Sequence, residues 1–246
     1  MSGAGIFIQG ANDSDVINLG AASGDEVAVG GANETVNGGA GAGIVLVSAA
    51  TGGALLHGGS GQLRVFASGG GALTLNAGDS GLNFVVLSAA SSAWTFTANG
   101  QAGLYISDAS TTADTLTAGG AHQIITGGAA GHLTMAASAQ GGDTFRDTST
   151  LLNGDTIENF ATTALDTINI TDLNAAQATA TFTENAQGTA GQLSVTDGTH
   201  SASITLFGQF MAAGFSGTAA AAGFSLSADS LSGTDVRYQP LVATPH

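Results

Sequence analysis

The sequence predicts an all-β chain: a parallel β-solenoid of the β-roll or β-helix type, followed by a small β-rich C-terminal module. Three observations favour this fold class. Short apolar clusters recur about every ten residues between Phe7 and Phe145, and glycine pairs separate many of them. No stretch of ten or more residues before residue 172 carries a convincing helical stripe. Strands and small-residue turns at a fixed short period are typical of solenoids.

The strand elements follow from the cluster positions. With two strands per coil the spacing gives roughly seven coils, and with three it gives roughly five, so both arrangements stay open. Because the first cluster begins near residue 6, we expect two open ends that present unpaired backbone groups. The clusters centre near Phe7, Ile17, Ala28, Val36, Leu46, Leu56, Val65, Thr74, Val85, Thr95, Tyr105, Leu116, Ile125, Leu133 and Phe145.

Glycine pairs mark the predicted corners between strands, where we expect positive φ angles that glycine adopts without strain. They include Gly30-Gly31, Gly38-Gly39, Gly52-Gly53, Gly58-Gly59, Gly69 to Gly71, Gly119-Gly120, Gly127-Gly128 and Gly141-Gly142.

Composition excludes several classes of function. The 246 residues include 18 acidic residues, three arginines and no lysine, for a formal net charge of -15. A phosphate backbone or an anionic membrane surface would be repelled, so we expect no nucleic-acid partner. The absence of lysine excludes Schiff-base and P-loop chemistry, and the absence of cysteine excludes disulfides and thiolate sites. No secretory signal is visible near the N-terminus, and the longest apolar run is too short for membrane insertion.

Two corners resemble the calcium-binding nonapeptide G-G-x-G-x-D-x-U-x. "GANDSDVIN" places Asp15 at the ligand position, and "ASTTADTLT" places Asp114 there. In "GGAGAGIVLVS", however, Gly43 replaces the aspartate, and Leu63 does so at the next such turn. Calcium takes six to eight oxygen ligands. We therefore expect packing, rather than calcium, to hold most coils, and the alternative for each lone aspartate is a solvated turn.

The sequence pattern changes at residue 141. The segment "GGDTFRDTSTLLNGDTIENFATTALDTINITDL" repeats Asp-Thr-apolar at Asp143, Asp155 and Asp166, with Phe160 between the last two. This series resembles the block that closes the repeat region of RTX-type proteins exported by type I secretion. "GQLSVTDGTHSASITLFGQF" and "FSLSADSLSGTDVRY" are similar to the C-terminal strands of that family. The resemblance covers roughly residues 141 to 240.

The resemblance implies two domains: degenerate glycine-rich solenoid repeats over 1–140 and an RTX-like calcium-binding and secretion module over 141–246. It implies an uncleaved C-terminal export signal, a secreted or cell-surface location and calcium as cofactor. The candidate metal ligands are then Asp15, Asp114, Asp143, Asp155 and Asp166.

Enzyme chemistry is not predicted. The five histidines are scattered, no G-x-S-x-G elbow is present, and the carboxylates of the central repeats, Asp79, Asp108 and Asp114, have no evident common face. An ice-binding threonine face is disfavoured because no T-x-T motif is seen to repeat coil after coil.

The function predicted from the sequence is that of a secreted structural protein. It self-assembles through the solenoid into a filament, matrix or surface layer, aided by calcium. The alternative is a monomeric adhesin or carbohydrate-binding module that contacts a cell-surface polysaccharide through Trp94 or Tyr105.

Overall fold

The chain forms a parallel β-solenoid of about seven coils, as the sequence predicts. This computed structural model describes residues 5–10, 13–21, 23–77, 84–88, 92–100, 104–127, 133–160, 166–210, 217–220 and 223–238. Each coil contributes two strands, which decides between the two predicted arrangements.

In chain order the elements are β1 (Phe7–Gly10), β2 (Val16–Asn18), β3 (Asp25–Val29), β4 (Glu34–Asn37), β5 (Gly43–His57), β6 (Leu63–Ala77), β7 (Phe84–Leu87), β8 (Trp94–Gly100), β9 (Tyr105–Asp108), β10 (Thr115–Thr117), β11 (Ile124–Thr126), β12 (Thr134–Ala136), β13 (Thr144–Asp147), α1 (Ser149–Leu152), β14 (Thr156–Glu158), β15 (Thr167–Ile170), β16 (Thr179–Glu184), β17 (Ala190–Thr196), β18 (Ser201–Phe207), β19 (Gly217–Ala220), β20 (Phe224–Ala228) and β21 (Thr234–Tyr238).

Two parallel faces enclose the core. Face 1 consists of β1, β3, the first part of β5, the first part of β6, β7, β9, β11, β13 and β15. Face 2 consists of β2, β4, the second parts of β5 and β6, β8, β10, β12 and β14. All the predicted cluster centres lie in strands except Leu133, which immediately precedes β12.

The core consists of columns of side chains that occupy equivalent positions in successive coils. On face 1, every second residue points inward, and the register places these residues directly above one another, about 4.8 Å apart. Burial of these apolar columns and the ladder hydrogen bonds along them hold the coils together. One fully buried column contains Val27, Val45, Val65, Val85, Ile106, Ile125, Phe145 and Ile168.

The glycine corners follow two different rules. Gly53, Gly141 and Gly142 have the predicted positive φ. Gly39 and Gly59 do not, so the prediction is wrong there. A Cβ on Gly59 would lie 2.0 Å from the carbonyl oxygen of Gly39. At these corners glycine is required because the turns of neighbouring coils stack backbone against backbone.

The C-terminal strands close the second end of the solenoid. β21 pairs antiparallel with β15 and with β20, while β18 extends face 2 beyond β14 and leads into the antiparallel strands β17, β16 and β19. The prediction of two open ends is therefore wrong at this end. At the other end, β1 and β2 pair on one side only within the described part of the chain.

The parallel coils continue past residue 140. β13, β14 and β15 stack in register on the preceding coils, so the "DTF", "DTI" and "DTI" segments form the last turns of the solenoid. The first antiparallel strand after them begins at Thr179. The division into domains at residue 140 stays a prediction. None of the described helices is long and apolar enough to cross a membrane.

Candidate functional site

The predicted aspartates at the corners join successive coils. Each precedes a strand, and in four of the five one carboxylate oxygen accepts the backbone N–H of a residue in the preceding coil. Asp114 accepts from Trp94 at 2.8 Å, and Asp143 accepts from Gln123 at 2.9 Å. The same contact joins Asp155 to the N–H of Leu133 and Asp166 to the N–H of Asp143, both at 2.9 Å.

These carboxylates are buried, so they are not the solvated turn residues of the alternative reading. Asp114, Asp143, Asp155 and Asp166 are at most 1% exposed. The other oxygen of Asp143 accepts the N–H of Ser138 at 2.7 Å. A carboxylate that accepts buried N–H groups stabilises the fold as a hydrogen-bond partner.

The five predicted calcium ligands do not share a site. Asp143 and Asp166 lie at the corner before face 1, whereas Asp114 and Asp155 lie at the corner before face 2. Asp15 lies one coil below Glu34, far from the others along the solenoid. In the described ranges no group of three or more histidine, aspartate or glutamate side chains could hold a metal ion. Since calcium takes six to eight oxygens, these residues do not form a preformed shell, and calcium binding stays a prediction.

Glycine at position 43 is explained by packing. Gly43 lies in the inward column directly between Asp25 and Leu63. A Cβ there would lie 2.9 Å from Leu19 Cδ1 and 3.7 Å from Leu63 Cδ1. The space of the missing aspartate is therefore occupied by leucine side chains, and this coil is held by apolar contacts.

Four carboxylates approach one another at the corner around Gly127. We name Asp108, Asp114, Asp147 and Asp155 the acid corner. A Cβ on Gly127 would lie 3.6 Å from Asp155 Oδ2 and 3.7 Å from Asp147 Oδ2. Asp108 and Asp114, two of the three central carboxylates for which the sequence indicates no common face, do lie together; Asp79 lies outside the described residues.

Burial governs the charge of the acid corner. Burial first, and then the nearby carboxyl of Asp114, raise the pKa of Asp108 to about 7. Burial, and then the charge of Asp172, raise the pKa of Asp147 to about 6. Asp108 and Asp114 are 4% and 1% exposed, so little of either carboxyl reaches solvent. The arrangement can hold a proton between two carboxyls.

A polar cleft lies where the hairpin β20–β21 meets face 1. It has a volume of about 330 Å³. We name it the arginine cleft, because it brings together two of the three arginines of the chain. Its polar lining comes from Thr144, Arg146, Asn169, Asp229, Asp235 and Arg237.

A fixed hydrogen-bond network forms the hairpin side of the cleft. Asn169 Nδ2 donates to Asp229 Oδ2 at 2.9 Å and to Asp235 Oδ1 at 2.7 Å. Arg237 donates from Nη2 to Asp235 at 3.1 Å and from Nε to Thr167 Oγ1 at 3.0 Å. The hydrogen bond from Asn169 is the main cause that lowers the pKa of Asp229, so this carboxylate is ionised at neutral pH.

Aromatic packing holds the hairpin in place. The rings of Phe224 and Tyr238 lie 5.0 Å apart, and each contacts Phe210. The Tyr238 hydroxyl donates to the Phe210 carbonyl oxygen at 2.9 Å. These contacts tie β20 and β21 to the end of β18, which fixes the hairpin side of the cleft.

Outward-facing aromatic residues continue along face 1 from the cleft. The rings of Phe84 and Tyr105 are stacked, with centroids 5.2 Å apart, and Phe66 meets Phe84 edge to face at 6.3 Å. Tyr105 also lines a neighbouring cavity of about 370 Å³ that shares Arg146 with the arginine cleft. Trp94 is fully buried and donates its indole N–H to the Ser88 carbonyl, so it is not available for surface binding.

No sequence motif predicts the arginine cleft. Arg146 and Arg237 are far apart in the chain, and no motif links them. Only the antiparallel pairing of β21 with β15 brings them together. Two of the five histidines, His132 and His246, lie outside the described residues.

Fold and site together define a class: a parallel β-solenoid with a closed C-terminal end and a polar cleft beneath the closing hairpin. No protein-family model and no curated protein matches this chain. The resemblance to RTX-type proteins therefore stays a prediction.

Proposed function

We propose that the chain is a secreted structural protein that self-assembles through its β-solenoid into an extracellular filament, matrix or surface layer. The observation that supports this most directly is the first coil. Its strands β1 and β2 have one unpaired side within the described residues, and three of its large apolar side chains are exposed. Ile6 and Phe7 are each 60% exposed, and Val16 is 64% exposed.

An exposed strand edge with apolar side chains favours pairing with another chain. Because the opposite end is closed by β21 and β18, continuation of the parallel ladder from head to tail is not available. The first coil instead favours pairing with the first coil of a second copy, which produces a closed pair. Lateral packing of the solenoid faces then supplies the second contact that a larger assembly requires.

Charge sets the conditions for assembly. Each copy carries a formal net charge of -15, so two copies repel one another unless cations screen or bind their carboxylates. Calcium in the extracellular medium aids assembly in this way. In this proposal it acts on surface carboxylates and requires no shell formed by the five corner aspartates.

The test is sedimentation velocity of the wild-type protein and two single variants over a concentration series. Phe7→Lys places a charge at the proposed contact, and Leu231→Lys makes the same change at an apolar residue that is 68% exposed in the β20–β21 turn. We expect self-association of the wild type and of Leu231→Lys, and a clear loss for Phe7→Lys. A wild type that stays monomeric at every concentration, or equal association of both variants, contradicts the proposal.

A further inference from the structure

We propose that face 1 carries a binding site for a neutral saccharide, formed by the arginine cleft together with Tyr105. The site is distinct from the first-coil contact of the proposed function. It lies at the other end of the solenoid, beneath the hairpin β20–β21.

The charges within the cleft favour a neutral ligand. Arg146 and Arg237 are matched by Asp229 and Asp235, so the lining has both cationic donors and anionic acceptors but no excess of either. A sugar hydroxyl can donate one hydrogen bond and accept others. Adjacent hydroxyls on a sugar ring can therefore satisfy a carboxylate and a guanidinium at the same time.

An anionic ligand fits the charges around Arg146 poorly. Arg146 lies between carboxylates: its charge opposes the rise in the pKa of Asp147 and contributes to the lowered pKa of Asp229. A bound carboxylate or phosphate would compete with these two groups for one guanidinium, in a molecule that already carries a net charge of -15.

The acceptors on the hairpin side of the cleft are held in place, whereas the guanidinium of Arg146 is available to a ligand. Asp229, Asn169 and Asp235 are fixed by mutual hydrogen bonds and by the N–H groups of Leu231 and Gly233, each 2.7 Å from Asp229 Oδ1. In contrast, the half-buried guanidinium of Arg146 donates no hydrogen bond to any described residue. Fixed acceptors beside an available planar donor are the combination that orients a polar ligand at little entropic cost.

The aromatic residues extend the site along the solenoid. Tyr105, Ile124 and Thr144 occupy the same outward position on three successive coils. The register places Tyr105 about 10 Å from Thr144 at the usual strand spacing. The stacked rings of Tyr105 and Phe84 add an apolar surface next to the polar cleft, against which the C–H groups of a sugar can pack. This continuity favours a ligand longer than one sugar unit.

The experiment is affinity electrophoresis of the full chain in native gels. The gels contain hydroxyethylcellulose, dextran or galactomannan as neutral polysaccharides, or polygalacturonate as the anionic comparison. We expect retardation by at least one neutral polysaccharide. Arg146→Ala weakens that affinity about tenfold or more, because it removes a charge-assisted donor, and Tyr105→Ala weakens it while Tyr105→Phe retains most of it.

Arg64→Ala is the matched control. Arg64 is exposed on face 1 outside the arginine cleft, at the outward position next to Phe84, and donates a hydrogen bond to Gln62 at 3.4 Å. Arg64→Ala removes the same charge without changing the cleft, so it should weaken retardation much less than Arg146→Ala. Fluorescence of the buried Trp94 checks the fold of each variant.

Three results would overturn the proposal: no retardation by any neutral polysaccharide, equal loss in Arg146→Ala and Arg64→Ala, or retardation by polygalacturonate alone. Since the readout is affinity for polysaccharide, a failure of self-assembly in sedimentation leaves this result unaffected.

Discussion

Aspartate plays two different roles in this molecule, and the neighbouring groups decide which. Asp143 is completely buried, and its two carboxylate oxygens accept the N–H groups of Gln123 and Ser138. Asp108 accepts the N–H of Ser110 at 2.8 Å and lies against the carboxyl of Asp114. Asp143 therefore serves as a hydrogen-bond acceptor that joins two coils, whereas burial and the neighbouring carboxyl favour the protonated form of Asp108.

Asp143→Ala should lower the free energy of unfolding by about 2 to 4 kcal/mol, because it leaves two buried N–H groups without acceptors. Glu26→Ala is the control, since Glu26 projects outward from β3 on the solvent side of face 1. Its effect should stay within about 0.5 kcal/mol. Urea denaturation of both variants measures the difference, and equal stabilities would show that the Asp143 contacts contribute little.

The raised pKa of Asp108 predicts a stability that falls with rising pH. The folded chain holds this proton up to about pH 7, whereas the unfolded chain loses it near the ordinary pKa of aspartate, 3.8. The contribution is therefore complete below about pH 4 and is lost as the pH rises through about 7. Asp108→Asn should flatten this part of the profile and raise the melting temperature at pH 8 relative to the wild type.

Asp197 provides a control of opposite sign. The N–H of Asn174, followed by those of His200 and Thr199, lowers the pKa of the Asp197 carboxyl. Its contribution is present above about pH 4 and is lost on acidification. Asp197→Asn should therefore lower the melting temperature at neutral pH, and the difference from the wild type should shrink only as the pH falls below about 4 toward the lowered pKa of Asp197. Thermal melts of both variants across this range would contradict the assignment if the two profiles changed in the same direction.

At the scale of elements, the strands are repetitive but the corners are specialised. Corners with Asp143 or Asp155 join coils through buried carboxylates, whereas the corner at Gly43 joins them through leucines. A single nonapeptide consensus therefore does not describe all of them. The consensus residue is compatible with a corner only where N–H groups, rather than apolar side chains, face the carboxylate.

Gly43→Asp tests this interpretation, because it restores the consensus at the start of β5. We expect it to destabilise the protein by several kcal/mol, since it places a carboxylate between Leu19 and Leu63 without a partner. Ala42→Asp adds the same charge at the exposed neighbouring residue and should have a small effect. Chemical denaturation compares the two. A Gly43→Asp variant that calcium stabilises above the wild type would instead support a metal-binding corner.

At the scale of the whole molecule, the two ends differ and the charge is strongly one-sided. The closed end and the apolar first coil give the solenoid a direction, so the proposed contact joins like ends. The acidic surface opposes that contact at long range. The balance between apolar contact and charge repulsion is sensitive to salt, because screening shortens the range of the repulsion but leaves the apolar contact intact.

Self-association should therefore strengthen as ionic strength rises from about 0.01 M to about 0.15 M, where the Debye length falls from about 30 to about 8 Å. Calcium should act more strongly than sodium at equal ionic strength, and magnesium should act about as strongly as calcium, because no calcium-specific shell is required. Sedimentation velocity in the three salts measures this. Association promoted by calcium and not by magnesium would contradict screening and support a specific calcium site.

The sequence by itself determined the solenoid, because strand period and glycine spacing are local properties of the chain. Cluster centres such as Val65 and Ile125 lie in strands as predicted. It did not determine what each corner aspartate contacts, since the donor for Asp143 belongs to Gln123, one coil away. It also gave no indication of the arginine cleft, where β21 folds back onto β15 to place Arg237 beside Arg146. The repeat period of the strands is visible in the local sequence. A cleft depends on which distant segments of the chain meet, and only the tertiary structure decided that.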